Sequence, residues 1–529
     1  MNHDSFESLE QCKACISQQL ASTLNNKRLN KNTFGYSRIR QTKGSLVNVS
    51  SFLASAILPG LLAIYATSLY SRHFTPAEYG RYSLALALAA PLLVLASQWL
   101  AQATTRFYHE LVVQSEEHII GQVISVANFF VLLFLVAAVI ISFLSGIINI
   151  QNMSYCLSGL AYLITSIVLT NIASYMIYSG RHHIYNLTMT LSSFASFLFT
   201  LAFLYFTHLG ISSLLFGTAL SNTCSIIIFY CITKIKVFPM SISGESKAIL
   251  RRFFNYGIPL SFWMLMYTII NISDRYILQY FLGSGEVGRY SIHYSLVALP
   301  FLAINSPIIN IYSPKIMKAA SENDHKMVVV YIKEATRVYV TIGLLAVGIA
   351  YRFGDSIPYI IIDRNYYIDK SFYTFIIAGF CIWNMSMFWH KPMEIAKNTK
   401  TMLYYISIAA FINVILNFIL VPRYGINAAA ITTLIAFCAY SLLVFVINRK
   451  NAGLVFDFKQ LCICIFASFI TICLSNLNPV SSIDTNHLYG AIAALSIFVI
   501  GYLAVYTAAN YTYLAVCGKL RKGRNKDYA

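Results

Sequence analysis

The sequence predicts an all-α polytopic membrane protein of about 14 transmembrane helices: two parallel-repeat six-helix lobes plus two C-terminal helices. Three observations carry that prediction: composition, the length of the apolar runs, and a phrase that occurs twice. Of 529 residues, 57% are hydrophobic and 11% charged, whereas a soluble domain carries about 25% charged residues. Crossing a hydrocarbon layer of roughly 30 Å takes about 20 helical residues, and the apolar residues gather into fourteen runs of about that length. A chain in a bilayer must satisfy its own backbone hydrogen bonds, so the runs are expected to be helices. The recurring phrase is Glu78-Tyr-Gly-Arg-Tyr-Ser83, which returns 208 residues later as Glu286-Val-Gly-Arg-Tyr-Ser291.

In chain order, residues 1–46 are polar and basic and read as a cytoplasmic tail. An N-lobe over 47–233 follows, with spans at 47–71, 80–102, 119–148, 155–178, 184–206 and 211–233. Residues 234–255 hold Ser-Ile-Ser-Gly-Glu-Ser among five cations and read as a basic cytoplasmic linker. A C-lobe over 256–447 carries spans at 256–282, 288–312, 336–353, 371–390, 401–421 and 426–447, the ninth being the weakest. Spans 458–476 and 488–515 lie in an appendage, 448–515, before a basic tail at 516–529. Gly80 and Gly288 are read as letting the chain turn between spans. Glu78/Arg81 and Glu286/Arg289 are read as charge pairs at helix starts.

The repeat extends beyond the phrase. Each copy continues through a proline, Pro91 or Pro300, to a cation, Arg106 or Lys315. Leu209-Gly-Ile-Ser212 and Tyr424-Gly-Ile-Asn427 form a second matched turn. Six spans separate matching points, an even number, so the halves share one orientation and are expected to be related by an axis along the membrane normal.

Net charge is +18, but its distribution excludes a nucleic-acid partner: the expected inner segments hold 30 of the 38 Lys and Arg residues and the outer segments 8. That bias places both termini in the cytoplasm. Cys12-Lys-Ala-Cys15 is a lone pair with no second pair, so neither metal nor cofactor is expected. Gly283-Ser-Gly-Glu-Val-Gly288 has the spacing of a dinucleotide loop but bridges two spans, with no parallel-sheet unit around it.

Asp274 and Arg275 are the sharpest candidates for function, set in a span otherwise of Ile, Leu, Tyr, Phe, Trp and Met. Asp274 lies eight residues from Leu282, about 12 Å deep at 1.5 Å per residue. A charge there requires a polar cavity or a partner. Neighbours on a helix point about 100° apart, so the two need not pair. Arg275 suits a pyrophosphate or acidic sugar, Asp274 a proton or cation. Lys391, in His390-Lys391-Pro-Met-Glu394, either reaches the interface or lines an inner mouth. Arg106 has the same two readings. His293 either titrates or simply bonds within the bundle.

Arg72-His-Phe-Thr-Pro-Ala-Glu-Tyr-Gly-Arg-Tyr-Ser, Ser273-Asp-Arg-Tyr-Ile-Leu and Val421-Pro-Arg-Tyr-Gly-Ile-Asn-Ala-Ala-Ala resemble, in order and spacing, the motifs of bacterial polysaccharide-export proteins. The resemblance covers about residues 45–515 and is strongest to O-antigen flippases of the Wzx type. The wider group includes lipid II flippases and multidrug exporters. It implies a transporter of the bacterial inner membrane that flips a polyprenyl-pyrophosphate-linked oligosaccharide. Membrane lipids, proton or sodium coupling and a polysaccharide polymerase partner are its implied associates. The polar extension at 1–46 departs from the usual pattern. Two other classes compete. A membrane enzyme (polymerase, ligase or lipid-linked glycosyltransferase) would need a large outer domain, and the longest outer loop, 354–370, is short for one. A multidrug exporter would need acids deep in a lobe, and the first six spans have none.

Overall fold

The helix-forming apolar runs become helices in chain order. The computed structural model describes residues 58–113, 117–144, 153–233, 235, 244–476 and 488–524; among them there is no strand, and they belong to one compact unit. The N-terminal tail, Cys12/Cys15, residues 234 and 236–243 of the linker and the last five residues lie outside this set.

The first bundle comprises α1 (58–73), α2 (Pro76–Leu93), α3 (Trp99–Val113), α4 (Glu117–Leu144), α5 (Met153–Tyr178), α6 (His182–Phe206) and α7 (Ser212–Thr233). A π-helical turn, Val94–Gln98, joins α2 to α3, making them one crossing. It follows Pro91, whose missing N–H breaks the regular ladder. The second bundle comprises α8 (Gly244–Leu282), α9 (Ser284–Ser321), α10 (His325–Phe353), the short α11 (Ser356–Ile361), α12 (Ser371–Trp389), α13 (Lys391–Ile395) and α14 (Thr399–Ala452). α14 is two crossings joined at Gly425, whose φ of 61° falls in the region glycine favours. Gly210, at φ 53°, makes the matching turn in the first bundle. α15 (Phe458–Ser475) and α16 (Leu488–Arg524) attach through α10, where the Tyr502 hydroxyl donates to the Thr341 carbonyl (2.9 Å) and the Ser468 hydroxyl to that of Leu344 (2.9 Å).

Among the described residues, ten helices are long and apolar enough to cross a membrane, α14 counted once. α9 and α10 are not among those ten. α9 carries Glu286, Arg289, His293 and Asn305, whose partners are other protein groups: Arg289 and His293 bond to the 354–370 loop, and Tyr339 bonds to Asn305. Large apolar side chains such as Leu88, Leu133, Leu198, Phe411 and Ile500 are exposed on the outside of the bundles, as a lipid-facing surface requires.

Two expectations about the repeat phrase are corrected. Gly80 and Gly288 are not turn residues; helix has already begun at Pro76 and Ser284, and the turns fall at Thr75 and at Gly283, φ 86°. Nor do both copies form a charge pair. Arg289 pairs with Glu286 at 2.6 Å. In the first copy Glu78 instead completes a capping box: it accepts from the Thr75 backbone (2.9 Å), and its own N–H donates to the Thr75 hydroxyl (3.3 Å). The first copy has Thr where the second has Gly283, so only the first has a side chain able to cap.

Candidate functional site

The two copies of the phrase meet. α2 lies on α9, and the glycines allow their backbones to touch. A Cβ added to Gly80 would stand 1.9 Å from the Ser284 carbonyl oxygen, and one on Gly288 would stand 1.9 Å from that of Pro76. Ser284 and Pro76 are themselves 208 apart, so the contact is reciprocal, as a pseudo-twofold axis between the helices demands. One turn deeper the Ser83 hydroxyl donates to the Ser291 hydroxyl at 2.6 Å, again a repeat-related pair.

Arg275 closes this seam. Its Nε donates to both serine hydroxyls, at 3.0 Å to Ser83 and 3.2 Å to Ser291, and its Nη1 donates to the Asn271 carbonyl at 2.6 Å. The guanidinium also lies over Tyr294, 5.2 Å from the ring centroid, and over Tyr290 at 5.9 Å. All these partners are neutral. Arg252, Arg289, Arg337 and Lys391 each have a carboxylate within 4 Å, whereas Arg275 has none among the described residues. Its charge is therefore held by neutral groups in direct contact, with the neighbouring Asp274 carboxylate acting on it only through space.

Asp274 points elsewhere, as the 100° offset predicts. It is fully buried, and Tyr290, Thr433 (2.9 Å) and Asn417 (2.6 Å) donate hydrogen bonds to its carboxylate. Behind it, Asn413 Oδ1 accepts from Ser273 (2.7 Å) and Asn417 (3.2 Å), and Thr432 donates to Asn417 Oδ1 at 2.8 Å. Three crossings, α8 and the two arms of α14, thus converge on one carboxylate, two amides and two threonine hydroxyls inside an apolar bundle. Oxygens of this kind suit a proton or a small hard cation rather than a soft metal. Among the described residues no three His, Cys, Asp or Glu side chains gather.

His293 belongs to a different contact. Its Nε2 bonds the Tyr366 carbonyl at 2.6 Å and its Nδ1 bonds the Tyr373 hydroxyl, so both ring nitrogens are engaged. The loop it holds reaches across to the first bundle. The Tyr366 hydroxyl donates to the Phe74 carbonyl at 2.9 Å, and the Asp363 N–H donates to Ser71 at 3.1 Å. Two of the loop acids serve as local caps, Asp363 for Asn365 and Asp369 for Ser371. Hydrogen bonds from the Ser371 hydroxyl and backbone hold the Asp369 carboxyl below its ordinary range.

Arg106 and Lys391 stand apart from this seam. Arg106 is exposed on α3, 5.8 Å from the Phe107 ring. Lys391 is mostly buried and pairs with Glu394 at 2.7 Å. Tyr256 of α8 feels the charges of both Arg106 and Glu394, so the two cations border one region at the other end of the bundles.

Residues 42–319, more than half of the chain, match the family described as polysaccharide biosynthesis protein. The chain belongs to that family. Among solved structures it resembles "Lipid II flippase MurJ, inward closed conformation", with TM-score 0.70 and 17% identity over 88% of this chain and 99% of the other. It also resembles an inward-facing multidrug resistance MATE family transporter of the MOP superfamily (TM-score 0.61, 14% identity, 76% and 94% covered). A third likeness is a MOP superfamily transporter from Pyrococcus furiosus (TM-score 0.55, 14% identity, 77% and 94% covered). No curated protein matches the chain. This polysaccharide biosynthesis protein thus shares the fold of those solved membrane proteins, with ten described helices long and apolar enough to cross a membrane.

Sequence reasoning singled out Asp274 and Arg275 but missed what surrounds them. Ser83 and Ser291 were legible as matched positions of the repeat. Asn413 and Asn417, four apart in an apolar span, share a helix face and could have been paired with Asp274 as polar groups seeking partners. Tyr366 carried no signal, because its role depends on where a loop lands.

Proposed function

We propose that this protein flips a polyprenyl-pyrophosphate-linked oligosaccharide, the repeat unit of an O-antigen or other surface polysaccharide, across the bacterial inner membrane. Both termini lie in the cytoplasm, and the two bundles rock about the α2–α9 contact so that access alternates between the leaflets. The observation that carries this reading is Arg275, a cation with only neutral groups in contact among the described residues, on the line where the repeats meet. A diphosphate is a natural competitor for the two serine hydroxyls and the tyrosine faces that now hold it. Membership of a polysaccharide biosynthesis family supports a glycan cargo, and the fold shared with a lipid II flippase supports a lipid-linked one. With the seam closed at the Gly80/Gly288 end, Arg106 and Lys391 at the other end suit a first encounter with an anionic headgroup.

The Asp274 cluster is the coupling element in this scheme. A sodium ion would be held by Asp274 with Asn413, Asn417, Thr432 and Thr433, or a proton by Asp274 itself. Either would tighten α8 against α14 and so bias the neighbouring Arg275. A polysaccharide polymerase is the expected recipient of the product.

The test is a deletion strain lacking paralogues, complemented in trans. Loss of surface polysaccharide with accumulation of lipid-linked repeat units on the cytoplasmic side is expected. Normal surface polysaccharide in that strain removes the reading. Reconstituted vesicles containing labelled lipid-linked oligosaccharide then measure flipping directly, with and without a sodium or proton gradient.

A further inference from the structure

Far from the seam, α3, α4 and the start of α8 enclose a lateral groove of about 360 Å³. Trp99, Val126, Phe130, Val131, Leu250 and Phe254 give it apolar walls, and Lys247 and Arg251 form its rim. Phe130 and Phe254 are 55% and 50% exposed, so the groove opens sideways, toward lipid, rather than into the bundle. Its rim is fixed: the Ser246 hydroxyl donates to Gln122 of α4 at 2.6 Å, holding the first turn of α8 against α4. Lys247 and Arg251 are four residues apart and exposed, and neither has a carboxylate within 4 Å among the described residues, unlike their neighbour Arg252, which pairs with Glu110. Residues at that spacing have Cβ atoms about 5–6 Å apart, close enough to share one phosphate.

We infer that this groove is a binding site for an anionic phospholipid, one acyl chain in the apolar trough and the phosphate between Lys247 and Arg251. A resident lipid fits better than the transported one. The trough is walled off from the seam where α8 and α3 meet, since a Cβ on Gly257 would stand 2.1 Å from the Trp99 carbonyl oxygen. At that level the two helix backbones touch, leaving no room for a lipid chain between them. The acyl chain gains little on leaving other lipid tails for the groove, so selectivity rests on the headgroup. The lipid would brace the α8 start, the segment that joins the two bundles, against α4.

The experiment measures binding of phosphatidylglycerol and of phosphatidylcholine with identical chains to the full-length protein in detergent, by native mass spectrometry. A basic residue near an anionic surface contributes about five-fold. The wild type is therefore expected to prefer phosphatidylglycerol by about 30-fold, and K247Q/R251Q to lose that preference. R449Q/K450Q removes two exposed cations from the end of α14 and should leave it unchanged. V131W, which fills the trough, should weaken binding of both lipids. Equal binding of the two lipids by wild type overturns the inference, as does a K247Q/R251Q variant that keeps its preference. So does equal loss in R449Q/K450Q, which would mean diffuse attraction by net charge. Competition by undecaprenyl phosphate at the same rim would mean a substrate dock and overturn the resident-lipid assignment. None of these readouts depends on transport, so the flippase reading and this one can fail separately.

Discussion

The two six-helix bundles are copies of one backbone plan, yet only the second has a charge in its middle. Counting back 208 residues, Asp274 corresponds to Ala66 and Arg275 to Thr67. Counting back 215, Asn413, Asn417 and Thr432 correspond to Leu198, Ala202 and Gly217. In the first bundle Gly217 lets α7 press against α6, where an added Cβ would stand 2.6 Å from the Thr200 backbone nitrogen. In the second bundle the same level is filled by a carboxylate, two amides and a hydroxyl. Buried polar groups do exist in the first bundle, such as Asn171 donating to Asn128 at 2.7 Å and Asn222 to Ser166 at 3.1 Å, but they are neutral. The difference teaches a division of labour: one bundle packs around neutral groups, and its twin buries the carboxylate and carries the cation on which the proposed coupling and cargo binding rest. A fully symmetric pair would have no reason to bias the seam in one direction.

The strongest way to break this comparison is to make the second bundle resemble the first. D274A alone strands three donors, Tyr290, Asn417 and Thr433, at about 1–3 kcal/mol for each left without a partner, and should lower membrane abundance. D274A/Y290F/T433V instead removes the carboxylate together with two of the donors it holds, and leaves Asn417 bonded to Asn413; replacing both partners of a buried hydrogen bond by apolar groups is often nearly neutral. The expected outcome is restored abundance with no complementation of surface polysaccharide. A triple variant that complements normally would reduce the cluster to a packing device.

A second substitution follows the same logic at the seam. Thr67 donates its hydroxyl to the Ala63 carbonyl at 2.7 Å, one turn back. Arg275 uses the equivalent Asn271 carbonyl, so a threonine at 275 has a ready partner. R275T should therefore fold and reach the membrane but fail to complement. R275K keeps the charge and loses the planar group that reaches both serines through Nε and the Asn271 carbonyl through Nη1; it should recover part of the activity. If R275T complements as well as wild type, the charge is dispensable for cargo.

What was legible in the sequence divides along physical lines. Crossing number, repeat and orientation of the halves follow from periodicity and apolarity, which act locally. Asp274 and Arg275 were visible because an ionisable residue in hydrocarbon is conspicuous whatever surrounds it. The glycines of the repeat phrase were noticed for the wrong reason: a glycine after a short polar segment reads as a turn, and only the partner helix reveals that it serves close approach. His293 stood out as titratable, whereas its two bonds depend on Tyr366 in a loop 73 residues away and Tyr373 in α12, 80 residues away. Partners distant in the chain leave no local trace.

The seam itself is symmetric, and that makes an intermediate-sized prediction. G80A and G288A each drive a methyl to 1.9 Å from a backbone oxygen of the other helix, so each should destabilise by about 1–3 kcal/mol, as overpacking does. Because the contacts are reciprocal, the two effects should be equal. Both variants should also pull Ser83 away from Ser291. In an S83C/S291C background the rate of disulfide formation should fall by the same factor for each. Unequal factors would mean that α2 and α9 do not share an axis at this level.

The smallest effect concerns how the two copies start their helices. Thr75 and Glu78 satisfy each other's groups in a capping box, and removing the cap side chain typically destabilises by about 1 kcal/mol. The second copy begins at Gly283 with no side-chain cap, and its Glu286 pairs with Arg289 at the surface, 30% and 40% exposed. Surface pairs of that kind contribute about 0.5 kcal/mol or less. T75A should therefore lower the thermal midpoint measurably, and E286A hardly at all. High salt should leave the T75A penalty in place while erasing what little E286A shows, because screening acts on the exposed ion pair far more than on hydrogen bonds to the backbone. An E286A penalty as large as that of T75A would mean that Glu286 acts through another contact, and the loop at Asn365, to which Arg289 donates at 3.2 Å, is where to look for it.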